Sequence, residues 1–309
     1  MSIVERVAEL LGSIPQTHRK PAAAGEKADT LAPNLVERAA GDASRRSDFP
    51  GDMDFAVRAK AEARPARSTS RTTRTFRVDL DRLRKQSIIT PDGERTPIAE
   101  GFRRIKRQIL ANVANPKGGA PANLVLVTSA LAGEGKTFCA INLAISIALE
   151  MDRTVLLVDA DVAKPSVPKA LGIKAEIGLM DVLLDRRIDL AEVLCKTDID
   201  KLTVLPAGTA NQHATELLAS GAMRELLREL ASRYHDRIII FDSPPLLAAS
   251  EAGVLASQMG QIVLVVEAGK TSEAALKDAL RRIEPSNVAG LLLNKGEGPG
   301  LGYYYGGYG

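Results

Sequence analysis

The sequence predicts an α/β protein with a doubly wound, mostly parallel sheet that carries helices on both faces. Short runs rich in Val, Ile and Leu alternate with helical segments through the carboxyl-terminal two thirds of the chain. Continuous apolar runs of this kind are typical of strands that are buried on both faces of a parallel sheet. The composition fits such a core, since 45% of the residues are hydrophobic and only 4% are aromatic.

A loop of small residues follows the first of these strands. The apolar run from Val125 leads into Ser129-Ala-Leu-Ala-Gly-Glu-Gly-Lys-Thr137, where an apolar helical segment begins. Strand, loop and helix in this order predict a phosphate-binding loop and a P-loop NTPase fold. The alternative is a glycine turn before an ordinary helix.

The predicted loop has the chemistry of a nucleoside triphosphate site. Its backbone N–H groups and the positive end of the helix dipole attract phosphate. Lys136 is expected to reach the β- and γ-phosphates, and the Thr137 hydroxyl is expected to ligate Mg²⁺. The residues predicted to contact the nucleotide in this segment are Ala132, Gly133, Glu134, Gly135, Lys136, Thr137 and Phe138.

Strands and helices alternate regularly after this loop and its helix. Further strands are predicted at residues 154–159, 202–205, 237–242, 262–267 and 288–294. Helices are predicted near residues 178–184, 215–218, 222–234, 251–258 and 272–283. In a sheet of this class, ligands bind outside the carboxyl ends of the strands.

Three aspartates stand at such strand ends. Asp159 and Asp161 close the second strand, and Asp242 closes Ile238-Ile-Ile-Phe241. An aspartate after an apolar strand opposite a P-loop is typical of a Mg²⁺-binding acid. A helix cap or a turn is the alternative for each of them.

The amino-terminal region differs from this domain. Residues 1–14 have the apolar spacing of a short amphipathic helix, which docks on a partner, a membrane or this protein, or else has no role. Residues 15–75 are rich in Ala, Pro, Ser, Arg and Asp and predict a disordered linker with a basic end. Order is expected to resume near Phe76, so the predicted domain covers residues 76–298.

Near the start of that domain, residues 98–110 predict a helix with an apolar stripe. Glu100, Arg103 and Lys106 are three residues apart and are expected along one side of this helix. A solvated face with helical ion pairs is the simpler interpretation.

Charge, cysteines and hydropathy limit the class of protein. The formal net charge of +3 gives no general argument for nucleic-acid binding. Only Cys139 and Cys195 are present, without metal-ligand spacing, which suits a reducing cytosol, and Cys139 is expected to be buried. No apolar run approaches the ~20 residues that cross a bilayer, so we expect a soluble, cytoplasmic protein.

The last eleven residues, 299–309, form a Gly/Tyr-rich segment that we expect to be flexible and exposed. It holds four of the five tyrosines: Tyr303, Tyr304, Tyr305 and Tyr308. A low-complexity end without function is one interpretation. Reversible phosphorylation is the other, because each phosphate adds close to two negative charges.

Together these motifs resemble those of the bacterial tyrosine autokinases of capsule and exopolysaccharide synthesis, especially the exosortase-associated subgroup. The P-loop resembles the Walker A motif of that family, Val158-Asp-Ala-Asp161 its second aspartate motif, and Ile240-Phe-Asp-Ser-Pro-Pro245 its Walker B motif. Leu293-Asn294 is another family-like stretch, and it implies that Asn294 contacts the nucleotide. The tail is similar to the tyrosine cluster on which members of the family autophosphorylate.

The resemblance implies an ATP- and Mg²⁺-dependent kinase that phosphorylates its own tail. Lys136, Asp159, Asp161 and Asp242 would be the catalytic residues, with Thr137, Asp161 and Asp242 at the metal and Asp159 as the candidate base. The implied partners are a separate transmembrane polysaccharide copolymerase, which would hold the kinase at the inner face of the cell membrane, and a cognate tyrosine phosphatase. Glu100, Arg103 and Lys106 would assemble a homo-oligomeric ring.

The sequence departs from the pattern of the family in two motifs. Ala163 and Lys164 stand where an arginine usually follows the second aspartate, and Lys106 replaces the last arginine of the assembly motif. Two other functions therefore stay open. One is a partition ATPase of the ParA/MinD type, against which Leu131 speaks because it occupies the place of the second lysine of that group. The other is a catalytically silent nucleotide-binding scaffold.

Overall fold

The computed structural model of this chain describes residues 75–94, 96–116, 119–284 and 288–296. All of them belong to one compact unit that spans residues 68–309. The predicted amino-terminal helix, the linker up to residue 74 and the Gly/Tyr-rich tail lie outside the described residues. Thr75, the last residue of the predicted linker, begins the first strand.

The described residues form eight strands in one sheet. The strands are β1 (Thr75–Phe76), β2 (Leu124–Ser129), β3 (Thr154–Asp159), β4 (Cys195–Thr197), β5 (Leu202–Leu205), β6 (Arg237–Asp242), β7 (Gln261–Glu267) and β8 (Val288–Asn294). Their order across the sheet is β1-β4-β5-β3-β6-β2-β7-β8. All neighbouring pairs are parallel except β4 and β5, which are antiparallel. The predicted mostly parallel α/β sheet is thereby confirmed.

Ten helices accompany the sheet in the described residues. They are α1 (Leu80–Lys85), α2 (Pro97–Ala114), α3 (Lys136–Ala148), α4 (Val167–Leu171), α5 (Leu179–Leu184), α6 (Leu190–Val193), α7 (Ala214–Ala219), α8 (Gly221–Arg233), α9 (Ser250–Ala256) and α10 (Glu273–Arg282). The predicted helices agree with this set to within two residues at each end. The exception is the carboxyl end of α2, which runs four residues beyond its prediction.

Four short elements escaped the sequence analysis: β1, β4, α4 and α6. Each has five residues or fewer, so none contains enough turns or alternations to show a hydrophobic period. Together β1 and β4 extend the sheet at one edge, where Val78 donates its backbone N–H to Asp198 Oδ1 at 2.8 Å. This contact ties the segment after β1 to the segment after β4.

Helix α3, which follows the P-loop, lies at the centre of the core. It packs on the side of the sheet that carries Val125, Leu157 and Ile240, and α1 and α2 cover its other side. This position explains why almost every side chain of α3 is apolar and buried. Asn142 in α3 accepts a hydrogen bond from the Ile89 N–H at 2.8 Å, which anchors the segment between α1 and α2.

The opposite face of the sheet is buried as well. Leu126, Leu156 and Phe241 on that face are inaccessible to solvent, and helices α8 and α9 contact β6 and β2 respectively. Burial on both faces is the reason that the strands read as continuous apolar runs. Both cysteines are buried free thiols, which confirms the prediction for Cys139.

Candidate active site

The order of strands brings the three predicted acidic and P-loop motifs to one edge of the sheet. Strand β6 lies between β2, which leads into the P-loop, and β3. Asp242 is the register partner of Asp159 on one side and of Val127 on the other. Because these strands are parallel, their carboxyl ends meet, and the loop, Asp159 and Asp242 surround one cleft.

The P-loop takes a conformation that requires glycine at two positions. Gly133 and Gly135 have φ angles of 86° and 95°, in the left-handed region. Gly135 also caps α3, and a Cβ atom there would lie 2.1 Å from Asn294 Nδ2. A side chain at Gly135 would therefore displace the Asn294 amide and adopt a strained backbone conformation.

Side chains from the protein body hold this loop in place. Asn294 Nδ2 donates to the Glu134 carbonyl at 2.8 Å, and Lys295 Nζ donates to the Gly133 carbonyl at 2.7 Å. The buried Glu134 carboxylate accepts from the Leu131 N–H at 2.6 Å and from the Thr271 hydroxyl. Glu134 and Asn294, both predicted to contact the nucleotide, thus stabilise the conformation of the P-loop through hydrogen bonds to its backbone.

Thr137 and Asp242 are joined directly. The Thr137 hydroxyl donates to Asp242 Oδ2 at 2.6 Å and lies 2.9 Å from Ser166 Oγ. Ser166 was not predicted, because a single serine in the loop after β3 carries no recognisable spacing. Its proximity to Thr137 depends on where the chain turns after Asp159.

Asp159 organises that turn. Its Oδ2 accepts hydrogen bonds from the N–H groups of Ser166 at 2.8 Å and Val167 at 2.9 Å. These bonds give Asp159 a structural role at the start of α4, as in the alternative that the sequence left open. Its other oxygen, Oδ1, is buried and has no hydrogen-bond partner.

Burial dominates the electrostatics of the cleft. It raises the pKa of Asp242 to about 8 and the pKa of Asp159 to about 6, because a carboxylate loses its hydration there. Burial also lowers the pKa of Lys136, an effect that the nearby Asp242 and Asp161 oppose. Shifted pKa values of this kind cluster at functional sites, where ionisable groups are placed to bind a charged ligand.

Asp161 stands at the more open side of the cleft. Its Oδ1 accepts from the Lys164 N–H at 3.1 Å, and partial burial raises its pKa. Lys136 favours the ionised form of Asp161, while Glu251 at the start of α9 opposes it. Glu251 itself accepts from the Thr215 hydroxyl at 2.9 Å, so α7 and α9 help to line this side.

These residues fit a Mg²⁺ ion. Asp242 Oδ1, like Asp159 Oδ1, is buried without a hydrogen-bond partner, and the Thr137 hydroxyl lies beside Asp242. Hydroxyl and carboxylate oxygens are the ligands that Mg²⁺ takes next to a phosphate. The described residues contain no cluster of three or more His, Cys, Asp or Glu that could hold a metal by themselves.

The three residues predicted for assembly do not share one environment. Arg103 forms an exposed ion pair with Glu100 at 3.1 Å. Lys106 is buried, donates to the Ser146 carbonyl at 3.0 Å and pairs with Glu150 at 2.5 Å. Each step of three residues falls about 60° short of a full turn of the helix. Lys106 is two such steps from Glu100, so its side chain lies on a different face, towards α3.

The predicted phosphate acceptors Tyr303, Tyr304, Tyr305 and Tyr308 lie outside the described residues. Across the described ranges, every helix is too short or too polar to pass through a bilayer.

The chain is similar to known proteins both in sequence and in fold. A family model described as an AAA domain matches residues 123–287. The chain is 35% identical to the tyrosine-protein kinase YwqD of Bacillus subtilis over 61% of its own length and 78% of that protein. It is also 34% identical to the succinoglycan biosynthesis transport protein ExoP of Rhizobium meliloti, over 72% of this chain but only 28% of ExoP. The kinase domain of VpsO superposes with a TM-score of 0.58 at 28% identity, covering 70% of this chain and 98% of that domain.

Proposed function

Because this chain belongs to the bacterial protein-tyrosine kinases, we propose that it transfers the γ-phosphoryl group of ATP to the tyrosines of its own tail. The acceptors are Tyr303, Tyr304, Tyr305 and Tyr308. The observation that carries the proposal is the pair of buried carboxylate oxygens, one on Asp159 and one on Asp242, that lack partners beside Thr137. Buried carboxylates of this kind are unfavourable in their ionised form unless a cation binds beside them, and Mg²⁺ bound with ATP would supply that cation.

Each residue of the cleft has a part in this reaction. Lys136 and the loop N–H groups hold the phosphates, while Thr137, Asp242 and Asp161 hold Mg²⁺, which neutralises charge on the transferred group when it is bound. The tyrosine oxygen attacks the γ-phosphorus, the bond from that phosphorus to the ADP oxygen breaks, and the phenolic proton leaves.

We assign the role of proton acceptor to Asp159. A free tyrosine has a pKa near 10, so transfer needs a group that takes or shares its proton. The pKa of Asp159 is raised by burial to about 6, which leaves it ionised at neutral pH and more basic than an ordinary aspartate. Its unpartnered Oδ1 is the atom available for this task.

The decisive experiment incubates the purified protein with labelled ATP and Mg²⁺ and maps phosphotyrosine by mass spectrometry. Label on residues 303–308 that disappears in Lys136→Ala supports the kinase. Hydrolysis of ATP without protein label would support the partition ATPase instead. Nucleotide binding with neither reaction would support the scaffold.

We propose that the tail is phosphorylated in a neighbouring copy and that its phosphorylation loosens a ring. Four phosphotyrosines would place strong negative charge at a boundary between subunits. Glu100 and Arg103, exposed on α2, are the candidates for that boundary, and Lys106 acts through its contact with α3. Equal oligomer masses for the fully phosphorylated protein and for the variant with four Tyr-to-Phe changes would count against this proposal.

The biological setting that we propose is the regulation of capsule or exopolysaccharide export. The relative ExoP is named for succinoglycan transport and is much longer than the region that matches this chain. A separate transmembrane copolymerase would supply the corresponding part here and recruit the kinase to the inner face of the membrane, and a phosphatase would reset the tail. Co-expression with the copolymerase should raise tail phosphorylation several-fold, and an unchanged level would argue against such an activator. Membership of the exosortase-associated subgroup remains a prediction.

A further inference from the structure

One tyrosine of the chain lies in the described domain and does not belong to the tail. Tyr234 follows the last residue of α8 and precedes the turn into β6. Its side chain is exposed, at 40% relative accessibility. A half-exposed phenol at the end of a helix is accessible to a second protein, and the mechanism described above makes no use of it.

Two arginines surround the ring of Tyr234. The Arg237 guanidinium carbon lies 3.9 Å from the ring centroid, and the Arg233 guanidinium carbon lies 5.8 Å from it. Arg237 is half-buried, and its Nε atom is buried without a hydrogen-bond partner. Arg233 is exposed and forms an ion pair with Glu229 at 2.8 Å, a contact that it can exchange for a stronger acceptor.

This arrangement suits a phosphate. A phosphotyrosine carries close to two negative charges and three acceptor oxygens, and arginine is the side chain that pairs best with it. Here one guanidinium already stacks on the ring and a second lies within reach of the same side chain. The contact with the ring already restricts the Arg237 side chain, so less conformational entropy would be lost if its guanidinium pairs with a phosphate on Tyr234.

We propose that Tyr234 is a second phosphorylation site of this kinase, distinct from the tail, and that Arg233 and Arg237 bind the phosphate. The inference rests on the proposed kinase function. In the reaction the Tyr234 oxygen attacks the γ-phosphorus of ATP, the bond to the ADP oxygen breaks, and the phenolic proton passes to the catalytic carboxylate of the acting subunit.

The position of Tyr234 dictates that a second copy performs this reaction. Tyr234 lies before the amino end of β6, whereas Asp242 closes the carboxyl end of the same strand. Six residues of strand span about 17–20 Å, and Tyr234 is fixed to the fold by its neighbours in α8 and β6. The active site of the same subunit therefore cannot reach it, and the reaction must be bimolecular.

The test uses an acceptor that cannot phosphorylate itself. The acceptor is the full-length chain labelled with ¹⁵N, carrying Lys136→Ala and Phe at all four tail tyrosines. Unlabelled wild-type protein is the donor, with ATP and Mg²⁺, and phosphopeptides of the heavy acceptor are mapped by mass spectrometry. We expect phosphate on Tyr234 of the acceptor, at a rate that rises in proportion to donor concentration, and its complete loss when the acceptor also carries Tyr234→Phe.

Two results would overturn the inference. If the donor phosphorylates its own tail while Tyr234 of the heavy acceptor stays unmodified, the second site does not exist although the proposed function holds. If neither is phosphorylated, the kinase activity itself fails, and the state of the donor tail separates these two cases.

The arginines are tested on the phosphorylated acceptor from this assay. Arg233→Ala in the acceptor should raise several-fold the rate at which an added tyrosine phosphatase removes the phosphate from Tyr234, because a phosphate bound by arginine is less accessible. The matched control is Arg228→Ala, an exposed arginine on the same helix, which should leave that rate unchanged. Equal rates for Arg233→Ala and the unsubstituted acceptor would rule out the proposed role of this arginine.

Discussion

Asp242 is the residue that says most about the chemistry of this protein. It is completely inaccessible to solvent, and its Oδ2 accepts a hydrogen bond from a neutral hydroxyl, that of Thr137. A carboxylate in such a place destabilises the protein in its ionised form unless a cation joins it. Without a cation the fold therefore favours the protonated form of Asp242, and a metal ion bound beside it would favour the ionised form.

The first prediction concerns the stability of the Mg²⁺-free protein as a function of pH. The pKa of Asp242 is raised to about 8 in the folded state from about 3.9 in the unfolded chain. Protonated Asp242 therefore contributes to the free energy of unfolding. This contribution is fully present below pH ~4 and is lost as the pH rises through ~8. We expect urea unfolding to give a lower free energy of unfolding at pH 8.5 than at pH 5.5.

Asp242→Asn should remove most of that pH dependence, since the amide cannot ionise. At pH 8.5 without Mg²⁺ the variant should be more stable than the wild type by about 1–3 kcal/mol, while tail phosphorylation falls at least ~100-fold. Asp200→Asn, a change of an exposed aspartate, is the control and should leave the pH dependence intact. An Asp242→Asn protein with the same dependence as the wild type would contradict the electrostatic description of the cleft.

The second prediction concerns the two thiols. Burial raises the pKa of Cys139 to about 12 and also raises the pKa of Cys195. Because the thiolate is the reactive form, neither cysteine of the native protein should react with a disulfide reagent at pH 8. Both should react after unfolding in guanidinium. Rapid reaction of one native thiol would show that its site opens to solvent.

At the scale of single elements, α3 connects the active site with the other end of the sheet. Its amino end holds Lys136 and Thr137. Near its carboxyl end, Lys106 binds the Ser146 carbonyl and Lys201 binds the carbonyls of Glu150 and Met151. Carbonyl groups at a helix end need such partners, and two ammonium groups also complement the negative end of the helix dipole.

The third prediction separates the internal contact of α2 from its exposed face. Lys106→Ala should lower the free energy of unfolding by about 1.5–3 kcal/mol, since it leaves a buried carbonyl without its partner and Glu150 without its ion pair. Arg103→Ala removes only an exposed ion pair and should cost less than about 0.5 kcal/mol. Chemical denaturation of both variants as monomers measures the difference, and equal losses would refute the distinction.

The fourth prediction uses two glycines in different surroundings. A Cβ atom on Gly178 would lie 2.1 Å from the Pro206 carbonyl oxygen, where α5 meets the loop after β5. Gly178→Ala should therefore lower the free energy of unfolding by about 2–4 kcal/mol.

Gly101 in α2 is the matched control, because no atom lies within 4 Å of a Cβ placed there. Gly101→Ala should raise the free energy of unfolding by about 0.5–1 kcal/mol through helix propensity alone. Thermal unfolding of both variants tests the pair. A stabilising Gly178→Ala would mean that the α5 loop can move aside.

At the scale of the whole molecule, one sheet builds both the core and the cleft. Every buried hydrophobic residue of the described ranges lies between Val78 and Leu292, within the unit that spans residues 68–309. The core and the nucleotide site therefore use the same set of strands, so loss of the fold and loss of binding should coincide.

The fifth prediction follows from this placement. On heating, the helical circular-dichroism signal and the binding of ATP with Mg²⁺ should be lost at the same midpoint temperature to within about 2 °C. Circular dichroism and the fluorescence of a bound nucleotide analogue, recorded on the same sample, provide the measurements. Loss of nucleotide binding well below the unfolding midpoint would show that the site opens while the core stays folded.

The sequence by itself determined the class of fold, the P-loop and the strand-end aspartates. These features are local, because a strand buried on both faces must be apolar throughout and a phosphate loop must place glycine, lysine and threonine at fixed offsets. The same local character allowed most strands and helices to be located to within two residues.

Only the tertiary structure decided which local features act together. The Ser166 hydroxyl lies next to the Thr137 hydroxyl. The Glu134 carboxylate binds the Thr271 hydroxyl instead of facing the solvent, and Lys106 is buried against α3 instead of lying on the exposed face of α2. All three contacts join residues that are far apart in the chain. The pairing of Tyr234 with Arg237 likewise depends on the turn from α8 into β6. Spacing along a chain reports the face of one element, whereas burial and partners are set by how several elements pack.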